Sequence, residues 1–159
     1  MQAAPQTPEQ ALPKIMAILD EGISCRLVVT GSSMLPFLRH RQDTVILSPI
    51  STPIRRGDIL FYLRPGDIPI LHRVCAVRQD GSLLMCGDAQ VGLEPISPRQ
   101  VLARVTQIEK NGTLTDCSTP IFRLKAELWI ALRPVRPYIL AALRRLGKLH
   151  EGDIYGKYH

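Results

Sequence analysis

From Ile23 to Ile108 the chain reads as short apolar runs broken by glycine, proline or aspartate, and this rhythm constrains the fold more than any other feature. The runs Arg26 to Val29, Thr44 to Leu47, Ile59 to Leu63, Ile70 to Val77, Leu83 to Cys86 and Val101 to Ile108 have strand length and are bounded by turn residues. An all-β body of about six strands is expected. Asn111-Gly112 follows the last run, and both residues tolerate positive φ, so a tight hairpin turn into Thr113-Leu114 is expected. A chain of 159 residues with 13 prolines and 11 glycines fits one compact domain with many turns.

Helical spacing flanks this body. Residues 1 to 8 are rich in Pro, Gln and Ala and are expected to be disordered; Glu9 to Glu21 then places Leu12, Ile15, Met16 and Leu19 on one helical face, stopped by Gly22. After Pro120 the helical period returns through Leu124, Leu128, Trp129 and Leu132, breaks at Pro134 and Pro137, and resumes from Tyr138 to Leu146. The expected fold class is therefore mainly β, with a short N-terminal helix and a helical basic C-terminal tail. The boundaries are 1–22 for the start and helix, 23–118 for the β-rich core and 119–159 for the tail.

Charge is concentrated in that tail. Arg123, Lys125, Arg133, Arg136, Arg144, Arg145 and Lys148 face one acid, Glu127, a net of +6, whereas the rest of the chain sums to zero. A neutral body with a basic apolar segment at 123–148 reads first as a solvated face packed on the neighbouring core, next as a contact for a membrane surface or a protein partner, with nucleic acid the weakest fit. The start MQAAPQTPEQ has no basic region ahead of an apolar one, and no run approaches the roughly 18 apolar residues that a membrane span needs. A cytoplasmic or peripheral location is expected. Cys25, Cys75, Cys86 and Cys117 lack metal-ligand spacing and read as reduced, buried thiols; neither a metal nor an organic cofactor is expected.

Three segments carry residues suited to chemistry: Thr30 to Pro36 with Ser33, Ile68 to Val74 with His72, and Gly87 to Gln90 with Asp88. A serine hydroxyl needs a base to take its proton, a neutral imidazole is suited to that, and a carboxylate can fix the imidazole tautomer. The order Gly-x-Ser-Met-x-Pro, Gly57-Asp58-Ile59, Ile-Leu-His-Arg-Val and Gly-Asp-x-Gln resembles the type I signal peptidase superfamily over about Thr30 to Ile108. His72 resembles the subgroup of endoplasmic-reticulum, archaeal and some Gram-positive enzymes, in which His replaces Lys.

The resemblance implies a signal-peptidase-like complex β fold and a serine endopeptidase that cleaves a leader or signal-like peptide of a preprotein. It implies Ser33 as nucleophile, His72 as general base and Asp88 as its acidic partner, with Glu94 as an additional acid. It also implies the Ser33 backbone N–H as an oxyanion donor. Gly31 stands where some bacterial members place a second, hydroxyl donor. Met34, Leu35 and Ile70 flank these residues, as core or as lining of a cleft for an extended peptide. His40, between Arg39 and Arg41, reads as a solvated loop residue, and His150 and His159 fall in the tail.

Register ties Asp88 to His72 through the turn Gln79-Asp80-Gly81. A two-residue type I′ turn opposes Cys75 to Cys86 and points His72 away from Asp88, whereas a three-residue loop with left-handed Gly81 sets His72 opposite Asp88. The peptidase reading expects the second. Two alternatives stand beside it. A self-cleaving regulatory domain of the repressor type shares the Gly-x-Ser-Met-x-Pro turn but uses a Lys base. A catalytically inactive peptide-binding module would keep the cleft without turnover.

Overall fold

The computed structural model describes residues 7–149. Helix α1 (Pro8–Asp20) starts on a capping box: the Thr7 hydroxyl accepts from the Gln10 N–H at 3.3 Å and the Gln10 side chain accepts from the Thr7 N–H at 3.1 Å. Gly22, at φ +76°, follows its end in the left-handed conformation that glycine adopts without a Cβ penalty. The expected disorder of the first residues concerns, up to residue 6, positions outside the described residues.

Eight strands follow, in one antiparallel sheet: β1 (Cys25–Val28), β2 (Thr44–Ser48), β3 (Ile59–Arg64), β4 (Ile68–Val77), β5 (Leu83–Cys86), β6 (Glu94–Ile96), β7 (Val101–Lys110) and β8 (Thr113–Asp116). Their order is β1-β2-β7-β3-β4-β5-β6, with β8 also paired to β7. The fold is mainly β. Beyond the six expected runs, β6 is three residues long and contains Pro95, which a sheet edge tolerates because no neighbour needs its N–H. β8 is exposed at every position and so shows no apolar pattern; it joins β7 through Asn111 and Gly112, at φ 49° and 80°. These angles fit the type I′ hairpin expected there.

The sheet separates two main apolar clusters. On one face Leu12, Ile15 and Leu19 of α1 pack with Val45, Leu47, Phe61 and Val105; on the other, Leu60, Tyr62, Val74, Leu83, Met85 and Ile96 gather. Helix α2 (Pro120–Ala131), a 3-10 turn (Arg133–Val135) and helix α3 (Arg136–Arg145) complete the described chain. Among the described residues no helix is long and apolar enough to cross a membrane.

Candidate functional site

The β4–β5 hairpin carries His72 and leads into the loop with Asp88, and it contains two irregularities rather than one. Its turn is the three-residue loop expected: Arg78 N–H bonds the Ser82 carbonyl at 2.9 Å, and Gly81 lies at φ +82°. Val77 then faces Leu83 and Ala76 faces Leu84. A bulge at Cys75 consumes one extra β4 residue, so that Val74 faces Met85 and Arg73 faces Cys86. Continued one step, this register sets His72 across from Gly87.

The bulge overturns the expected His72–Asp88 pairing. Both Asp88 oxygens instead accept from Arg73, at 2.7 Å from Nε to Oδ1 and 2.7 Å from Nη2 to Oδ2, with both side chains at 0% exposure. Arg73 also donates to the Gly57 carbonyl at 3.0 Å and lies 4.9 Å from the centre of the Phe37 ring. The pair is satisfied on all sides and closed to solvent. Asp88 is a structural anion for Arg73, not the partner of His72.

His72 lies on the other face, where β3 faces β4 with Leu60 opposite His72 and Tyr62 opposite Ile70. The Tyr62 hydroxyl donates to Glu94 Oε2 at 2.9 Å and lies 3.3 Å from His72 Nδ1. A phenol has one proton; with that proton given to Glu94, the remaining contact requires His72 to donate from Nδ1 and leaves Nε2 with the lone pair. Nε2 has no hydrogen bond among the described residues. Glu94 is clamped by Arg64 at 2.7 and 2.6 Å, which together with the Tyr62 bond holds its carboxyl below the usual range. Burial first, and the Arg64 charge second, push the His72 imidazole down to about 4 against an upward pull from Glu94. Burial likewise raises the Tyr62 phenol. The acid connected to His72 is therefore Glu94, through Tyr62.

Ser33 sits half-buried in the loop after β1. Gly31, at φ +84°, turns the chain there, and its N–H donates to His40 Nδ1 at 2.8 Å. His40 is thus half-buried and holds the serine loop, which corrects its reading as a solvated residue. The Ser33 carbonyl accepts from the Ala89 N–H at 2.9 Å and packs directly on Gly87, where a Cβ would lie 2.6 Å from that oxygen. A side chain at position 87 would displace the serine loop. Neither the Ser33 hydroxyl nor its N–H has a hydrogen-bond partner among the described residues. Met34 belongs to the α1-side core, Leu35, equally buried, borders a cavity beside Ser33, and Ile70 packs on the Tyr62-side cluster.

The C-terminal helices lock the loop that carries Asp88. Trp129 Nε1 donates to the Asp88 carbonyl at 2.9 Å, and buried Arg136 donates to the carbonyls of Gly87 at 3.2 Å, Gln90 at 2.8 Å and Trp129 at 2.9 Å. Cys75 and Cys86 lie together against Ile130 as free thiols; the Cys75 bond and Arg136 bring Cys86 down to about 7, against the effect of burial. Among the described residues no group of three or more His, Cys, Asp or Glu side chains is placed to hold a metal ion. His150 and His159 lie outside the described residues.

None of the family models, curated proteins or solved structures compared with this chain matches it. The site rests on its own geometry. Sequence reasoning missed Tyr62, Arg64, Arg73 and Arg136. Tyr62 and Arg64 did carry a signal, since period two along β3 puts them on the His72 face; Arg136, 50 residues from Cys86, carried none.

Proposed function

We propose that the chain is a serine endopeptidase resembling the type I signal peptidases, cleaving a leader or signal-like peptide through an acyl-serine intermediate. The observation that carries this reading is that Ser33, whose hydroxyl and N–H have no hydrogen-bond partner among the described residues, packs its carbonyl on Gly87, one step beyond the Arg73–Cys86 pair on the hairpin that carries His72. The Ser33 proton passes to His72 Nε2 as Oγ bonds the scissile carbonyl carbon, and the Ser33 N–H faces the developing oxyanion. The C–N bond then breaks, and the imidazolium returns its proton to the leaving amine. Water hydrolyses the ester by the same route and frees Ser33. Tyr62 and Glu94 hold the Nδ1–H tautomer, the task that a buried carboxylate performs in a triad.

Fluorophosphonate labelling of wild type and Ser33→Ala, with and without detergent or lipid, tests this reading. Labelling in the wild type alone is expected; none under any condition leaves the inactive peptide-binding module. Mass spectrometry of the incubated chain checks the self-cleaving alternative, which requires Ser33-dependent fragments.

The peripheral location also enters as a proposal, supported by exposed Ile121, Leu124 and Leu128 at helical spacing along α2 and Leu132 at its C-cap, with Lys125 exposed on the same helix and Arg145 exposed on α3. An apolar stripe beside basic residues suits an anionic lipid surface. The full chain is expected to float with phosphatidylglycerol vesicles and not with phosphatidylcholine vesicles. A Leu124→Asp/Leu128→Asp variant that still floats would exclude this face.

A further inference from the structure

A cavity of about 230 Å³ opens beside Ser33, between the serine loop and α3. Leu35, Leu140 and Leu149, which form an apolar cluster with Ala89 packed against it, line this cavity together with Ser33. The volume is below the roughly 300 to 1,000 Å³ of small-molecule pockets, and fits a side chain better than a whole ligand. Among the described residues, the only ionic group on its lining is Arg144 of α3. The Arg144 side chain is exposed and, like those of Arg41, Arg99 and Arg145, makes no ion pair or hydrogen bond among the described residues, whereas Arg39, Arg56, Arg64, Arg73, Arg104 and Arg123 pair with an acid.

We infer that this cavity receives a peptide side chain next to the scissile bond and that Arg144 makes it selective for aspartate or glutamate. The inference rests on the serine peptidase reading. A carboxylate on a short methylene stem matches both parts of the site. The stem lies on Leu35 and Leu140, and the carboxylate reaches the planar, two-pronged guanidinium at the rim. A lysine or arginine substrate would place like charges together, and a purely apolar side chain would leave Arg144 unused. The cavity opens on Ser33, so the selected residue flanks the bond that Ser33 attacks.

A quenched-fluorescent peptide library, with each position varied in turn, tests this on the intact chain and on the Arg144→Ala, Arg144→Glu and Ser33→Ala variants. The wild type is expected to favour Asp or Glu about tenfold in kcat/KM over Leu or Lys at one position beside the cleaved bond, the effect of one charge-assisted contact. Arg144→Ala flattens that profile, and Arg144→Glu inverts it toward Lys and Arg. The preference shrinks with added salt, as a rim contact should. Thermal melting of both Arg144 variants monitors folding. An acidic preference that survives in both variants overturns the inference, as does a wild-type profile without one. Failure of the wild type to label at Ser33 removes the peptidase reading itself, whereas labelling at Ser33 without any acidic preference removes only the role of Arg144.

Discussion

His72 and Arg73 are neighbours on β4, yet they point to opposite faces of the sheet and end in differently built polar clusters. Arg73 meets Asp88 in a two-pronged pair that is fully buried and completed by a carbonyl. His72 begins a chain through Tyr62 to Glu94 and Arg64 that is closed at one end and open at Nε2. A buried charge is tolerated only when its partners are complete, and then it fixes structure; a neutral base with a lone pair left over can still accept a proton. The difference separates an acid that holds the loop in place from an acid that can tune a base.

The largest expected effect is on stability at the closed cluster. Asp88→Ala leaves Arg73 charged and buried without its anion and should cost about 3 to 5 kcal/mol in denaturant unfolding. Glu94→Gln alters a partly exposed pair and should cost under about 1 kcal/mol while slowing Ser33 acylation roughly tenfold, read from the rate of fluorophosphonate labelling. Equal stability losses, or slower labelling only in Asp88→Ala, would reverse the assignment.

The next effect is on pH dependence. Because the folded-state value of His72 lies near 4 and the ordinary value is 6.5, the unfolded chain binds the proton first as pH falls. Stability from this group is present above pH 6.5 and is lost between 6.5 and about 4, by roughly 3 kcal/mol in full. The labelling rate should fall on an acid limb centred near 4 rather than 6.5. NMR titration of the His72 ring checks both; a midpoint near 6.5 would show that the open cluster does not keep its histidine neutral.

The smallest effect falls on the loop that presents Ser33. His40→Ala removes the acceptor of the Gly31 N–H and should cost about 1 kcal/mol of stability. Slower labelling beyond that explained by unfolding would show that His40 also positions the serine.

Strand rhythm, the flanking helices and the left-handed Gly81 were legible because each depends on neighbours in sequence. The Cys75 bulge was not: it contains no glycine or proline to mark it, yet it moves the register by one and transfers Asp88 from His72 to Arg73. Tyr62 looked like one more aromatic in an apolar run, since its hydroxyl acquires meaning only against Glu94, 32 residues away. His40 looked solvated because its flanking arginines are polar, whereas its ring turns inward to a backbone N–H. Local chemistry could be read along the chain; the contacts that decide roles are made across it.

The grip of Arg136 and Trp129 on the loop from Gly87 to Gln90 has a consequence for the order of events. The hairpin that presents His72 is complete by Cys86, but the carbonyls of the loop beside Ser33 find their donors only when residues 129 and 136 have been synthesised and docked. A nascent or C-terminally clipped chain therefore holds Ser33 and His72 without the latch that seats the loop beside them. In hydrogen exchange, the Ala89 amide, bonded to Ser33, should open together with α2 and α3 rather than with the sheet. Unlatching the helices is then also disarming the serine.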